Sequence, residues 1–208
     1  MDARIVDDAI EGLREGRSVV IPTDTVYGLC ASPDRPEPVQ AMYRLKGREE
    51  AQPTALIASS VDKLLELVPE LRGQAEPSLR ALLPGPYTLV LPNPAQRFRW
   101  LTGARPETIG VRVPELKRGA LALLQRVGAL AGTSANRAGE PDPRRLGDVP
   151  EEIRSACAAV IDGGELPGVP STVVDLTGPE PIVLREGAVP AAAALARLEQ
   201  SPRWQTAS

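Results

Sequence analysis

The stretch Val19-Val20-Ile21-Pro22-Thr23-Asp24-Thr25-Val26-Tyr27-Gly28-Leu29 decides the fold. Val19 to Ile21 is a short apolar run closed by Pro22, the pattern of a buried strand. A polar loop then presents two hydroxyls and a carboxylate, and ligands of open α/β sheets bind at strand ends. Two accounts fit the loop by itself: a capped turn in which Thr23 or Asp24 bonds local backbone, or a ligand-binding edge.

Outward from this stretch, helical and strand-like segments alternate. Ile5, Val6, Ala9, Ile10 and Leu13 recur at helical spacing, with Gly16 as the stop. Pro38 suits the first turn of a helix carrying Val39, Met42 and Leu45. Residues 54–58 read as a strand, after which Ser59-Ser60 cap a helix through Leu64, Leu65 and Val68. Residues 88–91 and 108–113 are strands, each stopped by a proline. A helix over 119–127 precedes a short strand, 129–131, that runs into a polar loop, 132–145. Strands at 159–161, 172–176 and 182–184 and a helix at 191–198 follow. The alternation predicts one α/β domain over residues 1–208, with a twisted mixed sheet and helices packed around it.

Composition narrows the chemistry. With 208 residues the chain buries on the order of 70% of its unfolded surface, enough for a core without staples. Cys30 and Cys157 are the only cysteines, which excludes a disulfide framework and a cysteine-rich zinc site. The chain has no histidine, which eliminates Ser-His-Asp and Cys-His nucleophile systems and any His-ligated metal. Catalysis must run on Lys, Arg, Thr, Ser, Asn, Asp, Glu and backbone groups. Lysine occurs only at Lys46, Lys63 and Lys117, and the other 21 basic residues are arginine. A net charge of −3 argues against a nucleic-acid coat but leaves room for a local basic cleft. No apolar run is long enough to span a membrane. Met1-Asp2-Ala3-Arg4 does not open a signal peptide, so a cytoplasmic location with reduced thiols is expected.

Four further segments hold chemistry-bearing residues. Lys46-Gly47-Arg48 sits at a helix end. Its two cations either converge on a polyanion or complement the helix dipole. In Thr108-Ile109-Gly110-Val111-Arg112-Val113, alternation puts Arg112 on the face opposite Ile109, Val111 and Val113. Arg112 is then either an edge arginine or a carboxylate clamp. Gly132-Thr133-Ser134-Ala135-Asn136, continuing to Asp142, is a polar turn whose N–H groups can face an anion, though no Walker A or GxGxxG pattern occurs. Gly168 to Asp175 and Leu184-Arg185-Glu186-Gly187 read equally as hairpin chemistry.

Taken in order, these segments resemble the YrdC-like family of threonylcarbamoyl-AMP synthases. The family's PTDTVYGL loop, KxR pair, PGPxT segment, TxxVR strand, SAN loop, STVVD strand and LRxG end correspond to Pro22–Leu29, Lys46/Arg48, Pro84–Thr88, Thr108/Arg112, Ser134-Ala135-Asn136, Ser171–Asp175 and Leu184–Gly187. The match covers about residues 5–190 and is similar to the short, single-domain form. Four positions depart from the common pattern: Thr133 stands for proline, Pro170 for glutamate, Ile57 for a histidine beside the substrate, and Glu49 for proline.

The resemblance implies a YrdC-like fold with a deep cleft and a positive mouth. It implies a nucleotidyltransferase that condenses L-threonine, bicarbonate or CO2, and ATP into threonylcarbamoyl-AMP and pyrophosphate. Mg2+ would arrive with ATP and no protein-ligated metal is expected. Thr25, Arg112, Gly132 and Ser171 would hold threonine, Arg112 through its carboxylate. Arg48, Gln52, Thr108, Ser134, Asp142 and Arg185 would contact ATP, with Asn136 fixing the loop. Lys46 and Arg48 would assist at the reacting phosphates or carbamate. The product would pass to a tRNA threonylcarbamoyl transferase complex, and a weak tRNA contact is compatible. Two other readings stay open: an RNA-binding module of the same fold, and a paralogue acting on another carbamoyl or acyl nucleotide.

Overall fold

A computed structural model describes residues 3–49 and 51–201, so Met1 and Asp2 of the N-terminal reading lie outside the described residues. The strands are β1 (Val19–Pro22), β2 (Tyr27–Ala31), β3 (Ala55–Ala58), β4 (Tyr87–Pro92), β5 (Thr108–Arg112), β6 (Ala129–Ser134), β7 (Ala159–Val160), β8 (Thr172–Asp175) and β9 (Ile182–Arg185). The helices are α1 (Ala3–Arg14), α2 (Pro36–Lys46), α3 (Val61–Leu67), α4 (Glu76–Leu82), α5 (Arg118–Val127), α6 (Glu151–Ala156) and α7 (Ala191–Glu199). All nine strands join one mixed sheet in the order β7-β1-β2-β6-β3-β5-β4-β8-β9. β1/β7, β3/β5 and β4/β8 are parallel, and the other neighbours are antiparallel.

Local chemistry sets the element ends. Gly16, at φ +83°, follows α1 in a conformation a side chain rarely adopts. The Ser60 hydroxyl accepts the Lys63 N–H at 3.0 Å and caps α3. Gly47 closes α2 in the left-handed region, φ 65°, so Lys46 ends the helix while Arg48 leaves it in a new direction.

Strand alternation places the core and the cleft. On one face Val20, Leu29, Leu56, Ile109, Val111, Leu89 and Val174 pack against residues of α2, α3, α4, α6 and α7. On the other, Val19, Ile21, Cys30, Ile57 and Leu130 pack against α1 and α5. Those two helices do not reach across β5, β4, β8 and β9. The uncovered part of that second face becomes the floor of the cleft, with Gly28, Gly132, Ile57, Gly110, Arg112, Thr88, Val90 and Val173 in its lining. Among the described residues no helix is long and apolar enough to cross a membrane.

The structure differs from the sequence reading in three places. Tyr27 to Ala31, read as the end of a polar loop, is a central strand. All five of its residues are buried, so no polar alternation marks it. β6 continues through Gly132, Thr133 and Ser134, because β2 pairs Cys30 with Gly132 and Gly28 with Ser134. Finally, α4 and α6 have only seven and six residues, too few for a periodic pattern to stand out.

Candidate active site

The cleft measures about 480 Å³. Eight of the sequence-selected residues line it: Arg48, Thr108, Arg112, Gly132, Ser134, Asp142, Ser171 and Arg185. Thr25, Lys46, Gln52 and Asn136 are not in the lining. Among the described residues, Arg48, Arg105, Arg112 and Arg185 bring four guanidinium groups to the lining against the single carboxylate of Asp142. That imbalance suits a polyanion.

Arg112 projects from β5, an interior strand, and its side chain is only 11% exposed. Its Nη2 donates to Asp24 Oδ1 at 2.8 Å and to Thr25 Oγ1 at 3.3 Å. Its Nε is buried without a partner. Burial lowers the Arg112 pKa from its ordinary value, with Asp24 opposing, and the guanidinium still keeps its charge. Asp24 moves the other way. Burial raises its pKa against the pull of Arg112 and of the Glu115 N–H.

The neighbouring hydroxyls have a definite direction. Thr23 Oγ1 donates to Val26 O at 2.7 Å and accepts from Thr25 N at 3.2 Å and Val26 N at 3.3 Å. With its proton engaged there, Thr23 accepts from Thr25 across 3.0 Å. A relay therefore runs from Arg112 through Thr25 and Thr23 to the Val26 carbonyl. Thr25, fully buried and outside the lining, has its proton engaged in this relay and accepts from Arg112.

At the opposite wall, the Lys46 ammonium donates to Ser134 O at 2.7 Å, Asn136 O at 2.7 Å and Asn136 Oδ1 at 2.6 Å. Ser134 Oγ donates to the same Oδ1 at 2.7 Å, which leaves the Ser134 oxygen at the cleft as an acceptor. Burial, reinforced by Arg48, brings the Lys46 pKa down to about 8, while Asp142 and Glu140 pull it up. Arg48 bonds Thr133 Oγ1 at 2.7 Å and Pro53 O at 2.5 Å, lies 5.9 Å from the Tyr43 ring centre, and leaves its Nε unpartnered. On the far side Ser171 Oγ meets Thr88 Oγ1 at 2.8 Å, and Arg185 Nη2 donates to Ser171 O at 2.9 Å.

At Gly132 a side chain would crowd the Ile57 side chain. A Cβ would lie 2.3 Å from Ile57 Cδ1 and 3.3 Å from Cys30 Sγ. The sequence reading did not select Thr23, Asp24, Thr88 or Arg105 as site residues. A carboxylate two residues beyond the proline that closes an apolar run was the available signal for Asp24.

The comparisons with known proteins agree with this geometry. The family model for Sua5, YciO and YrdC proteins, described as "Telomere recombination", matches residues 11–187. A threonylcarbamoyl-AMP synthase of Pyrococcus abyssi is 38% identical over 181 residues, covering 86% of this chain and 52% of the relative. The threonylcarbamoyl-AMP synthase of Halorhodospira halophila is 34% identical over 177 residues, covering 85% of this chain and 88% of the relative. The crystal structure of P. abyssi Sua5 complexed with L-threonine superposes with a TM-score of 0.83 at 34% identity, covering 94% of this chain and 58% of that one. The chain thus spans about half the length of the P. abyssi relative. The ordered motifs, the sheet with its half-covered face and the match over most of the length together place this chain in the Sua5/YciO/YrdC family.

Proposed function

We propose that the chain condenses L-threonine, CO2 or bicarbonate, and ATP into threonylcarbamoyl-AMP and pyrophosphate, an adenylyl transfer to a threonine carbamate. The observation that carries this reading is a cleft whose described residues bring four guanidinium groups and one carboxylate, rooted on a buried arginine. Relatives carrying that activity in their names match it at 34–38% identity.

The chemistry suits a site without histidine. The neutral threonine amine adds to CO2 and releases one proton, giving a carbamate; from bicarbonate the same carbamate forms with loss of one water, which carries the amine's proton away. A carbamate oxygen attacks the α-phosphorus of ATP, and the bond to the bridging oxygen breaks as pyrophosphate departs. The nucleophile is already an anion, so the protein's work is to bring two anions together and offset the charge that builds up.

In this reading Arg112 holds the threonine carboxylate, Thr25 serves the threonine from behind by holding Arg112, and Gly132 and Ser171 shape the wall. Arg48, Thr108, Ser134, Asp142 and Arg185 face the nucleotide, with Gln52 on the approach loop. Lys46 and Asn136 act from behind by holding Ser134 in place. Mg2+ arrives with ATP as part of the substrate. The product is a reactive mixed anhydride, consumed by a tRNA-modifying transferase in the cytoplasm.

The test is pyrophosphate release from ATP in the presence of threonine and bicarbonate. Release that depends on both is expected. No threonine-dependent release, with a related synthase active alongside, overturns the proposal.

A further inference from the structure

We infer that Asp24 is a positioning residue for amino-acid recognition, holding Arg112 so that the unengaged part of its guanidinium serves the bound carboxylate. The inference rests on the reading of the cleft given above and adds a residue to it. Asp24 is not in the cleft lining, so it reaches a ligand only through Arg112.

Three observations carry it. First, a guanidinium in the middle of a sheet loses most of its hydration, a cost of several kcal/mol unless a counterion compensates. The side chains of Arg112 and Asp24 are 11% and 9% exposed and stand 2.8 Å apart. Second, Asp24 is held at both oxygens by one short segment. Oδ1 accepts from Arg112 Nη2, and Oδ2 accepts from the Glu115 N–H at 3.2 Å. A carboxylate fixed at two points gives the one guanidinium nitrogen it meets a fixed anchor. Third, Arg112 Nη2 carries two hydrogens and has two acceptors, Asp24 and Thr25. That nitrogen is saturated, Nε has no partner, and the donors left over are on the remainder of the fork.

A plain structural role competes with this one, since the same contacts staple the β1–β2 turn to the segment after β5. Asp24→Asn separates the two. The amide oxygen still accepts the Glu115 N–H, so that arm of the staple survives, while the amide NH2 faces the Arg112 donors and the counterion goes. Calorimetry with threonine, threoninamide and ATP reads the difference, since threoninamide keeps the amine and hydroxyl but lacks the carboxylate.

Asp24→Asn is expected to weaken threonine binding by about tenfold or more, leaving threoninamide and ATP within about twofold of wild type. Threonine affinity within about twofold of wild type overturns the inference, and so does an equal loss for threoninamide. If Asp24→Asn does not fold, Asp24→Glu keeps the charge on a longer arm. It is expected to weaken threonine alone by a smaller factor, and unchanged threonine affinity overturns the inference. A wild-type chain that binds no threonine overturns the proposed function itself, a result distinct from wild type and variant binding it equally.

Discussion

Lys46 and Arg112 are both cations buried beside the cleft, yet the fold satisfies them to different degrees. Every hydrogen of the Lys46 ammonium has an acceptor within 2.7 Å, and Asn136 extends the network through its Nδ2 to Glu140 O at 2.5 Å. The turn after β6 is thereby a closed unit. Arg112 has one nitrogen matched to Asp24 and Thr25 and another, Nε, matched to nothing. Arg48 Nε is unpartnered too, so the sharper difference lies in the partners: Lys46 is held by neutral oxygens, and Arg112 by a carboxylate at the edge of the cleft.

Removing each cation in turn tests that contrast. Arg112→Ala is expected to lower threonine-dependent pyrophosphate release by two to three orders of magnitude, from a lost charge pair worth about 2–5 kcal/mol. Activity that keeps its threonine dependence near wild type would break the comparison at its ligand-binding end. Lys46→Met has its main effect elsewhere. It takes the ammonium from two backbone carbonyls, Ser134 O and Asn136 O, while Asn136 Oδ1 keeps the Ser134 hydroxyl, and the chain is expected to lose about 2–4 kcal/mol of stability. A lower urea midpoint at unchanged slope is the readout. A loss under about 1 kcal/mol would show that the closed network contributes little.

The two cations also show what a sequence can and cannot reveal. Arg112 was legible because alternation along β5 sends Ile109 and Val111 one way and Thr108, Gly110 and Arg112 the other. Lys46 was legible as a cation beside a glycine, but its partners lie about ninety residues away, on a wall assembled only when β6 packs between β2 and β3. Hydrogen-bond direction was equally hidden. That the Thr25 proton is engaged follows from Thr23 and Val26, whose geometry exists only in the folded turn. β2 went unread because a strand buried on both faces shows no alternation, and Gly28, Cys30 and Ala31 are too small to suggest a core.

Gly132 stands where these regions meet, with Cys30 of β2 on one side and Ala55 of β3 on the other. Gly132→Ala would put its methyl 2.3 Å from Ile57 Cδ1. The collision is with the end of a side chain that also lines the cleft, so Ile57 can turn partly aside, and a destabilisation of about 1 kcal/mol is expected. Ile57→Val removes the Cδ1 that collides, so Gly132→Ala/Ile57→Val should recover part of that loss, a coupling read from the urea midpoints of the four proteins. Strict additivity would mean that the wall is softer than the contact implies.

Tyr27 sharpens the contrast from the neutral side, because its buried polar group is hydrogen-bonded without carrying a charge. Its hydroxyl lies 2.8 Å from both Asp162 Oδ1 and Gly164 O and accepts the Gly163 N–H at 2.9 Å. Burial first, then the Asp162 carboxylate, moves the phenol from 10.0 up to about 12. Between those values the unfolded chain has released the proton while the folded one keeps it. The unfolded state therefore binds fewer protons, and stability falls as pH rises through that window. Below the lower value the contribution is whole. Tyr27→Phe lacks the phenol and should cost about 1–2 kcal/mol at neutral pH. Its deficit should shrink between pH 10 and about 12, because wild type loses there what the variant never had. Urea midpoints of both proteins at pH near 8 and near 11 decide it. A deficit that stays constant across that range would mean the hydroxyl contributes by packing, not as a proton held in place.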